Sequence, residues 1–279
     1  MMKRRIWLFL LIEALALPAG HSQQSTWADL LSFVNSFRNS SWKERMTGFY
    51  NVLRLAYPPD YRGYIEPHSA LAKVLRSLPV REQEEVRAGV ITLLLTEGTL
   101  VERNRKVFLA GGTGLSEEYV TYYGDLIEAV ASLNDEAAIV PLLQAINTGD
   151  MATAALARYG DAVIDPALDR LRSDDITTKL GVLHLFGKML SPGFKGTIGT
   201  ESKKKVRDAL VHAAGDENAM VRKGAVRDIG LLGDADLIPM VREIAVNDPY
   251  PGIPGAKADY PVRKEAKRAL VALSADGKR

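Results

Sequence analysis

The sequence contains no cysteine among its 279 residues. That absence excludes disulfides, thiol catalysis, thiolate metal sites and thioether attachment of a cofactor, so packing alone must stabilise the fold. Histidine occurs four times, without the paired spacing of metal ligands. No stretch alternates apolar and polar residues as the strands of a sheet would. We therefore predict an all-helical, non-enzymatic protein with no metal, no cofactor and no catalytic residues.

Aromatic residues are also sparse, at 7% of the chain, whereas hydrophobic residues reach 47% and charged residues 25%. This balance is ordinary for a folded protein and excludes general disorder. Few aromatic residues are expected where Ala, Leu and Val fill thin seams between helices. The composition therefore favours helix packing through small aliphatic side chains.

The N-terminal residues have the three-part layout of a secretory signal peptide. Basic residues at positions 3–5 precede an apolar run from Ile6 to Leu17, and small residues follow before a cut after Ala19 or Ser22. The run is shorter than the roughly 20 residues that cross a bilayer. We therefore predict a signal peptide at residues 1–22 and an exported protein, periplasmic or secreted, with no stable membrane span after cleavage.

Removal of this leader changes the net charge. The full chain has a formal charge of +2, but the leader carries three basic residues and a single acidic one, Glu13. The remaining chain is formally neutral, so overall basicity gives no support for nucleic-acid binding. We expect no nucleic-acid partner, and strong salt-dependent DNA binding by residues 23–279 would contradict that expectation.

One short phrase, Val-Arg-Lys-x-Ala, occurs twice near the C-terminus, at residues 221–225 and 262–266. Recurrence at a spacing of this size is typical of stacked helical repeats. A joint between helices recurs as well: Gly or Asn ends one helix in the left-handed conformation, Asp caps the next, and Pro falls in its first turn. Its three copies are Asn134-Asp135 with Pro141, Gly160-Asp161 with Pro166, and Gly233-Asp234 with Pro239.

The phrase and the joint together resemble HEAT repeats, especially the short bacterial HEAT-like type that is also found in phycobilin lyases. The resemblance covers residues 117–275, and residues 81–97 more weakly. It implies a right-handed α-solenoid, an armadillo-like superhelix of antiparallel helix pairs that binds proteins or peptides on its concave face. It also implies that Arg222 and Arg263 are structural, with Asp234 as the partner of Arg263.

Residues 23–80 show no repeat phrase, and terminal repeats need a covering element. We therefore predict an N-terminal helical cap at residues 23–80 and a HEAT-like repeat solenoid at residues 81–279. The Pro- and Tyr-rich segment at residues 57–67 is predicted to be a loop inside the cap.

Two segments are candidate partner-binding sites. The loop at residues 247–260 carries Tyr250 and Tyr260 among prolines and glycines, a composition that lowers the entropy lost on binding. The basic cluster Lys203, Lys204 and Lys205 could contact an acidic partner. A surface bulge and a solvated helix face are the respective alternatives.

These features predict an exported, non-catalytic scaffold that binds a protein or peptide through its concave face or the 247–260 loop. The alternative is an accessory enzyme, lyase-like or hydrolytic, that uses carboxylates such as Glu66, Asp174 and Asp175. That alternative requires the carboxylates to converge in one pocket.

Overall fold

The computed structural model describes residues 27–39, 41–109, 116–148, 150–254 and 257–276. Within these ranges the regular structure is entirely helical, with thirteen α-helices, short 3-10 turns and no strand. The predicted all-α class is therefore confirmed. None of the described helices combines the length and apolar character needed to cross a membrane. The predicted leader lies outside the described residues.

The chain divides between Leu133 and Asn134 into two compact units. In the first unit α1 packs against α2 and α4, and α5 packs against α3 and α4. The predicted boundary after residue 80 falls inside this unit, at the first residue of α4, and the assignment of residues 81–133 to a repeat array stays a prediction. The helices of the first unit are α1 (Trp27–Asn39), α2 (Trp42–Arg54), α3 (Pro67–Ser77), α4 (Val80–Leu109) and α5 (Glu117–Ala131).

Helix α4 is longer than its apolar pattern predicts. The pattern indicates a helix from Glu82 to Thr96, but α4 continues to Leu109. Val90, Leu93 and Leu94 are fully buried, and the next buried position belongs to a charged residue, Glu97. A pattern based on apolar side chains ends at Glu97 because this residue is buried through ion pairing and not through hydrophobicity.

The second unit contains eight further α-helices. Helices α7, α9, α11 and α13 contact one another in that order, and α6, α8 and α10 do the same alongside them. Helix α12 packs against α13. The bounds are α6 (Ile139–Gln144), α7 (Asp150–Ala157), α8 (Ile164–Leu171), α9 (Ile176–Leu190), α10 (Thr200–Ala213), α11 (Ala219–Leu232), α12 (Ile238–Asn247) and α13 (Pro261–Asp276).

The repeated phrase places its Val and Ala at buried positions of α11 and α13. Val221 and Ala225 of α11 are fully buried, as are Val262 and Ala266 of α13. Gly230 lets the two helices approach closely, because a side chain there would begin 3.0 Å from Ala269. The phrase therefore marks two buried aliphatic positions that lie one helical turn apart.

The three joints adopt the predicted left-handed conformation, with positive φ angles of 51° at Asn134, 55° at Gly160 and 74° at Gly233. Asp135 and Asp234 cap the turns that follow, each accepting the backbone N–H two residues later. The middle joint differs. The carboxylate of Asp161 accepts the N–H of Gly199 at 2.9 Å, so it fixes a later loop instead of capping its own helix.

Candidate functional site

Both repeat arginines converge on Asp248, the second residue of the 247–260 loop. Arg222 forms a bidentate ion pair with the Asp248 carboxylate, with Nε–Oδ2 at 2.7 Å and Nη2–Oδ1 at 3.2 Å. Arg263 donates through Nε to the Asp248 backbone carbonyl at 2.6 Å. The Asp248 side chain is 4% exposed, so water competes little for these contacts. The start of the loop is therefore fixed from two helices at once.

The pairing of Arg263 with Asp234 that the resemblance implies is wrong for this structure. Asp234 accepts a hydrogen bond from Arg207 Nε at 2.5 Å, and this contact holds the pKa of the Asp234 carboxyl below its usual range. Arg222 and Arg263 both lie in first turns and meet at Asp248, so the N-terminal ends of α11 and α13 are adjacent. Helix α11 has 14 residues, which places Asp234 about 20 Å from that end at about 1.5 Å per residue.

The 247–260 loop is closed by further backbone contacts. Tyr250 donates its backbone N–H to Asp248 Oδ1 at 3.0 Å. The carbonyl of Pro251 accepts the N–H of Asp259 at 2.7 Å, which joins the two sides of the loop. Gly252 between them has a φ of 103°, a conformation that a side chain would strain. These contacts hold the described part of the loop in one conformation.

Neither tyrosine of this loop is the fully exposed side chain expected of a free binding surface. The ring of Tyr260 lies under the guanidinium of Arg263, with 4.1 Å between the charge and the ring centre. This cation–π contact and a φ of 47° make Tyr260 part of the base of the loop. Tyr250 is only partly exposed. Neither tyrosine provides the most accessible apolar surface of the loop.

That surface belongs to Ile253, which is 77% exposed. Pro251 and Pro254 beside it are exposed as well. Ile253 is not predicted from the sequence, because the prediction for this loop rests on its aromatic residues. The available signal was a single aliphatic residue in the turn-forming stretch from Pro251 to Pro254, where no helix periodicity could bury it.

The three lysines of the basic cluster have separate environments. Lys205 donates to both carboxylate oxygens of Asp165, at 2.8 and 2.9 Å, and this hydrogen bonding raises the Lys205 pKa. Lys204 is exposed. Lys203 is exposed too, and its ammonium has no ion-pair partner in the described part of the chain. The three ammonium groups therefore differ in their surroundings, and contact with an acidic partner stays a prediction.

Lys203 lies at the edge of a cleft of about 310 Å³ in the second unit. The cleft forms where α9 and α11 end, α10 begins, and the loop at residues 191–199 crosses between them. No carboxylate lines it. Its lining residues are Met189, Leu190, Ser191, Phe194, Gly196, Thr197, Ile198, Lys203, Leu231 and Leu232.

A buried ionic network occupies the core of the first unit. Glu97 is fully buried, and Arg45 contacts it through Nε–Oε1 at 2.6 Å and Nη2–Oε2 at 3.2 Å. Tyr119 donates to Oε2 at 2.7 Å and Tyr122 to Oε1 at 3.1 Å. Burial, followed by the Glu97 charge, raises the pKa of both tyrosines. Both oxygens of Glu97 are satisfied, so the network joins α2, α4 and α5 without offering a free reactive group.

The carboxylates of the enzymatic alternative divide between the two units. Asp175 caps α9 by accepting the N–H of Thr178 at 3.0 Å, and Asp174 beside it is exposed. Glu66 belongs to the first unit and precedes α3. The enzymatic alternative therefore stays a prediction.

Glu66 does belong to a group of potential metal ligands. His68 Nδ1 is 2.7 Å from Glu128 Oε1, and His68 Nε2 is 3.7 Å from Glu66 Oε1. One ligand atom from each residue lies within 4.8 Å of the others. All three side chains are partly exposed, and such carboxylate–histidine contacts form on protein surfaces without a metal.

No family model and no curated protein sequence matches this chain. Among solved structures, the chain is similar to an engineered protein whose crystal structure was determined by the Northeast Structural Genomics Consortium. The two share 16% sequence identity over 88% of this chain and 97% of the engineered one, with a TM-score of 0.36. A similarity of this size supports no conclusion about fold or function.

Proposed function

We propose that this chain is an exported, non-catalytic scaffold of the HEAT-like type that binds another protein or a peptide through its 247–260 loop. The observation that carries the proposal is the contrast within that loop. Its base is fixed by charged contacts to Asp248, while Ile253 at its tip is 77% exposed. An apolar side chain held in water on an ordered support has a cost that contact with a partner would remove.

Preorganisation is the physical reason to expect useful affinity from a small loop. Ordering a free loop on binding costs about 0.5–1.5 kcal/mol for each flexible side chain immobilised. In this loop the Asp248 contacts and the Pro251–Asp259 hydrogen bond are made before any partner arrives. Pro251 and Pro254 restrict the backbone on either side of Ile253. The entropy lost when a partner covers Ile253 is therefore small.

The HEAT-like part of the proposal is supported by the second unit. The successive contacts of α7, α9, α11 and α13 are those expected of stacked helix pairs. In this proposal the pairs are antiparallel, the stack is a right-handed superhelix, and Arg222 and Arg263 link neighbouring pairs through Asp248. The predicted leader supports export, and an N-terminus at Gly20 or Gln23 in the isolated protein would agree with it.

Site-specific photocrosslinking tests the binding loop. A photoreactive residue replaces Ile253 in the producing cells, and adducts are identified by mass spectrometry. Val271 and Val80 are the matched control positions, because they are 72% and 71% exposed on helices α13 and α4. We expect one discrete protein adduct at position 253 that is absent from both controls.

A second variant distinguishes binding by the ordered loop from nonspecific association of an exposed apolar side chain. Asp248→Ala removes the anchor of the loop while leaving Ile253 in the sequence, so the adduct should decrease strongly. The proposal fails if position 253 gives no adduct, or the same adducts as positions 271 and 80.

A further inference from the structure

We propose that the cleft beside Lys203 binds the C-terminal end of a peptide whose last residue is apolar. This site is separate from the 247–260 loop and does not depend on the function proposed for that loop. Three observations support this assignment: a lining that is partly apolar, a wall that is already ordered, and a cation without an ion-pair partner in the described residues.

The lining provides the apolar part of the site. Met189 forms its floor and is 3% exposed, whereas Leu231 at the rim is 38% exposed. Phe194 and Ile198 are partly exposed in the loop that closes one side. The volume of about 310 Å³ is at the lower end of the roughly 300–1,000 Å³ of ligand pockets. It suits one terminal residue and its peptide group.

The wall of the cleft is ordered by contacts within the second unit. Phe194 donates its N–H to the Ser191 carbonyl at 3.0 Å, which forms a turn at the start of the loop. The ring of Phe194 fills the space that a side chain at Gly196 would need. At the other end, Asp161 holds the N–H of Gly199. The cleft therefore exists before a ligand binds, as most small binding sites do.

The charge indicates which end of a peptide fits. Lys203 lies in the first turn of α10, where the helix dipole disfavours a cation and favours an anion. Its neighbour Lys205 is neutralised by Asp165, but Lys203 has no such partner in the described residues. Since no carboxylate lines the cleft, an incoming carboxylate would meet an unopposed ammonium group. A peptide C-terminus supplies that carboxylate next to its last side chain.

The polar atoms of the lining favour a peptide over a free fatty acid. The Ser191 hydroxyl donates to the Lys188 carbonyl at 2.8 Å and keeps its acceptor capacity, and the Thr197 hydroxyl is of the type that binds a peptide group. A fatty acid would instead need a longer, wholly apolar channel. The residues that line the cleft include both polar and apolar side chains.

Methyl NMR of the full chain tests the inference with acetyl-Gly-Gly-Leu as a free acid and as its amide. We expect shifts of the methyl groups of Met189, Leu231 and Leu232, and binding of the acid about three- to fivefold tighter than the amide, as for one exposed ion pair. Lys203→Met should remove that difference, and Lys203→Glu should make the amide the better ligand. Lys204→Met is the matched control and should keep the native preference.

Three results would overturn the inference. The first is no methyl shift at 10 mM peptide, or shifts only outside the cleft. The second is equal affinity for acid and amide in the native chain. The third is that octanoate shifts these methyl groups whereas the peptide acid does not, which would make the cleft a site for small amphiphiles. Native-like spectra of both Lys203 variants show that lost preference is not lost folding.

Discussion

Among the described residues, each unit buries one carboxylate completely, and the two carboxylates differ in how they are satisfied. In the first unit, both oxygens of Glu97 accept hydrogen bonds from Arg45 and two tyrosines. In the second unit, Asp228 on α11 accepts from Arg227 Nε at 2.7 Å through Oδ1. Its Oδ2 is buried and has no hydrogen-bond partner in the described structure.

Burial alone does not determine whether a carboxylate raises or lowers the stability of the fold. Burial, opposed by Arg227 and assisted by the charge of Glu265 on α13, raises the pKa of Asp228 to about 7. Gly187 on α9 gives the Asp228 carboxylate room but no donor. Both oxygens of Glu97 are therefore matched by donors, whereas Asp228 should stabilise its unit only when it is protonated.

The largest expected effect comes from removing the partner of Glu97. Arg45→Met leaves a buried carboxylate without its main counter-charge and should lower the free energy of unfolding of the first unit by about 3–5 kcal/mol. Urea unfolding followed by tryptophan fluorescence measures this, because Trp42 packs against Tyr119 with ring centres 5.2 Å apart. The matched control is Arg81→Met, whose side chain is 89% exposed. A loss below about 1 kcal/mol for Arg45→Met would contradict the comparison.

The next largest effect is a dependence of the free energy of unfolding on pH, caused by Asp228. The folded-state pKa of Asp228 lies above the unfolded value of about 3.9, so between them the folded chain holds the extra proton. Its contribution to stability is therefore full at low pH and is lost as pH rises towards 7. Asp228→Asn should remove this loss. The free energy of unfolding of the variant minus that of the native chain should therefore rise by about 2–4 kcal/mol from pH 4.5 to pH 8.

Denaturant unfolding of both chains by circular dichroism across that range checks this prediction. Asp236→Asn is the control, because Asp236 is exposed, and its difference from the native chain should stay constant with pH. If the Asp228→Asn difference is equally constant, the carboxylate is satisfied and the comparison with Glu97 is wrong.

Smaller effects are expected at the arginines that hold Asp248. Arg222→Ala removes a bidentate, largely buried pair and should cost about 2–3 kcal/mol. Arg263→Ala removes one hydrogen bond and the contact with Tyr260, about 1–2 kcal/mol. Lys264→Ala breaks only an exposed pair with Asp259 and should cost less than about 0.5 kcal/mol. The α13 amides should exchange fastest in Arg222→Ala, more slowly in Arg263→Ala and slowest in Lys264→Ala. Equal protection of these amides in all three variants would refute the predicted order.

The predictions that came true from sequence depend on local chemistry. The joints at Asn134, Gly160 and Gly233 need a left-handed residue, and that need is visible within a few positions of the chain. The all-α class follows equally from local periodicity. These features are predictable because their cause lies within one or two helical turns.

The parts that sequence did not predict depend on contacts between distant residues. Glu97 and Arg45 are 52 positions apart, and nothing local marks Glu97 as buried. Asp234 was assigned to Arg263 from a repeat pattern, but the pattern does not specify which end of α11 faces Arg263. The cleft depends on residues from α9, α10 and α11 together, so only Lys203 could be singled out in advance, and for its charge alone.

Backbone relaxation of the 247–260 loop is the most direct test of the central claim that this loop is ordered before it meets a partner. ¹⁵N order parameters of Tyr250 and Ile253 should be about 0.85 on the ps–ns timescale, as in the helices, and should fall below about 0.6 in Asp248→Ala. Values below about 0.6 in the native chain would contradict the account, because a mobile Ile253 would not be held on a fixed support.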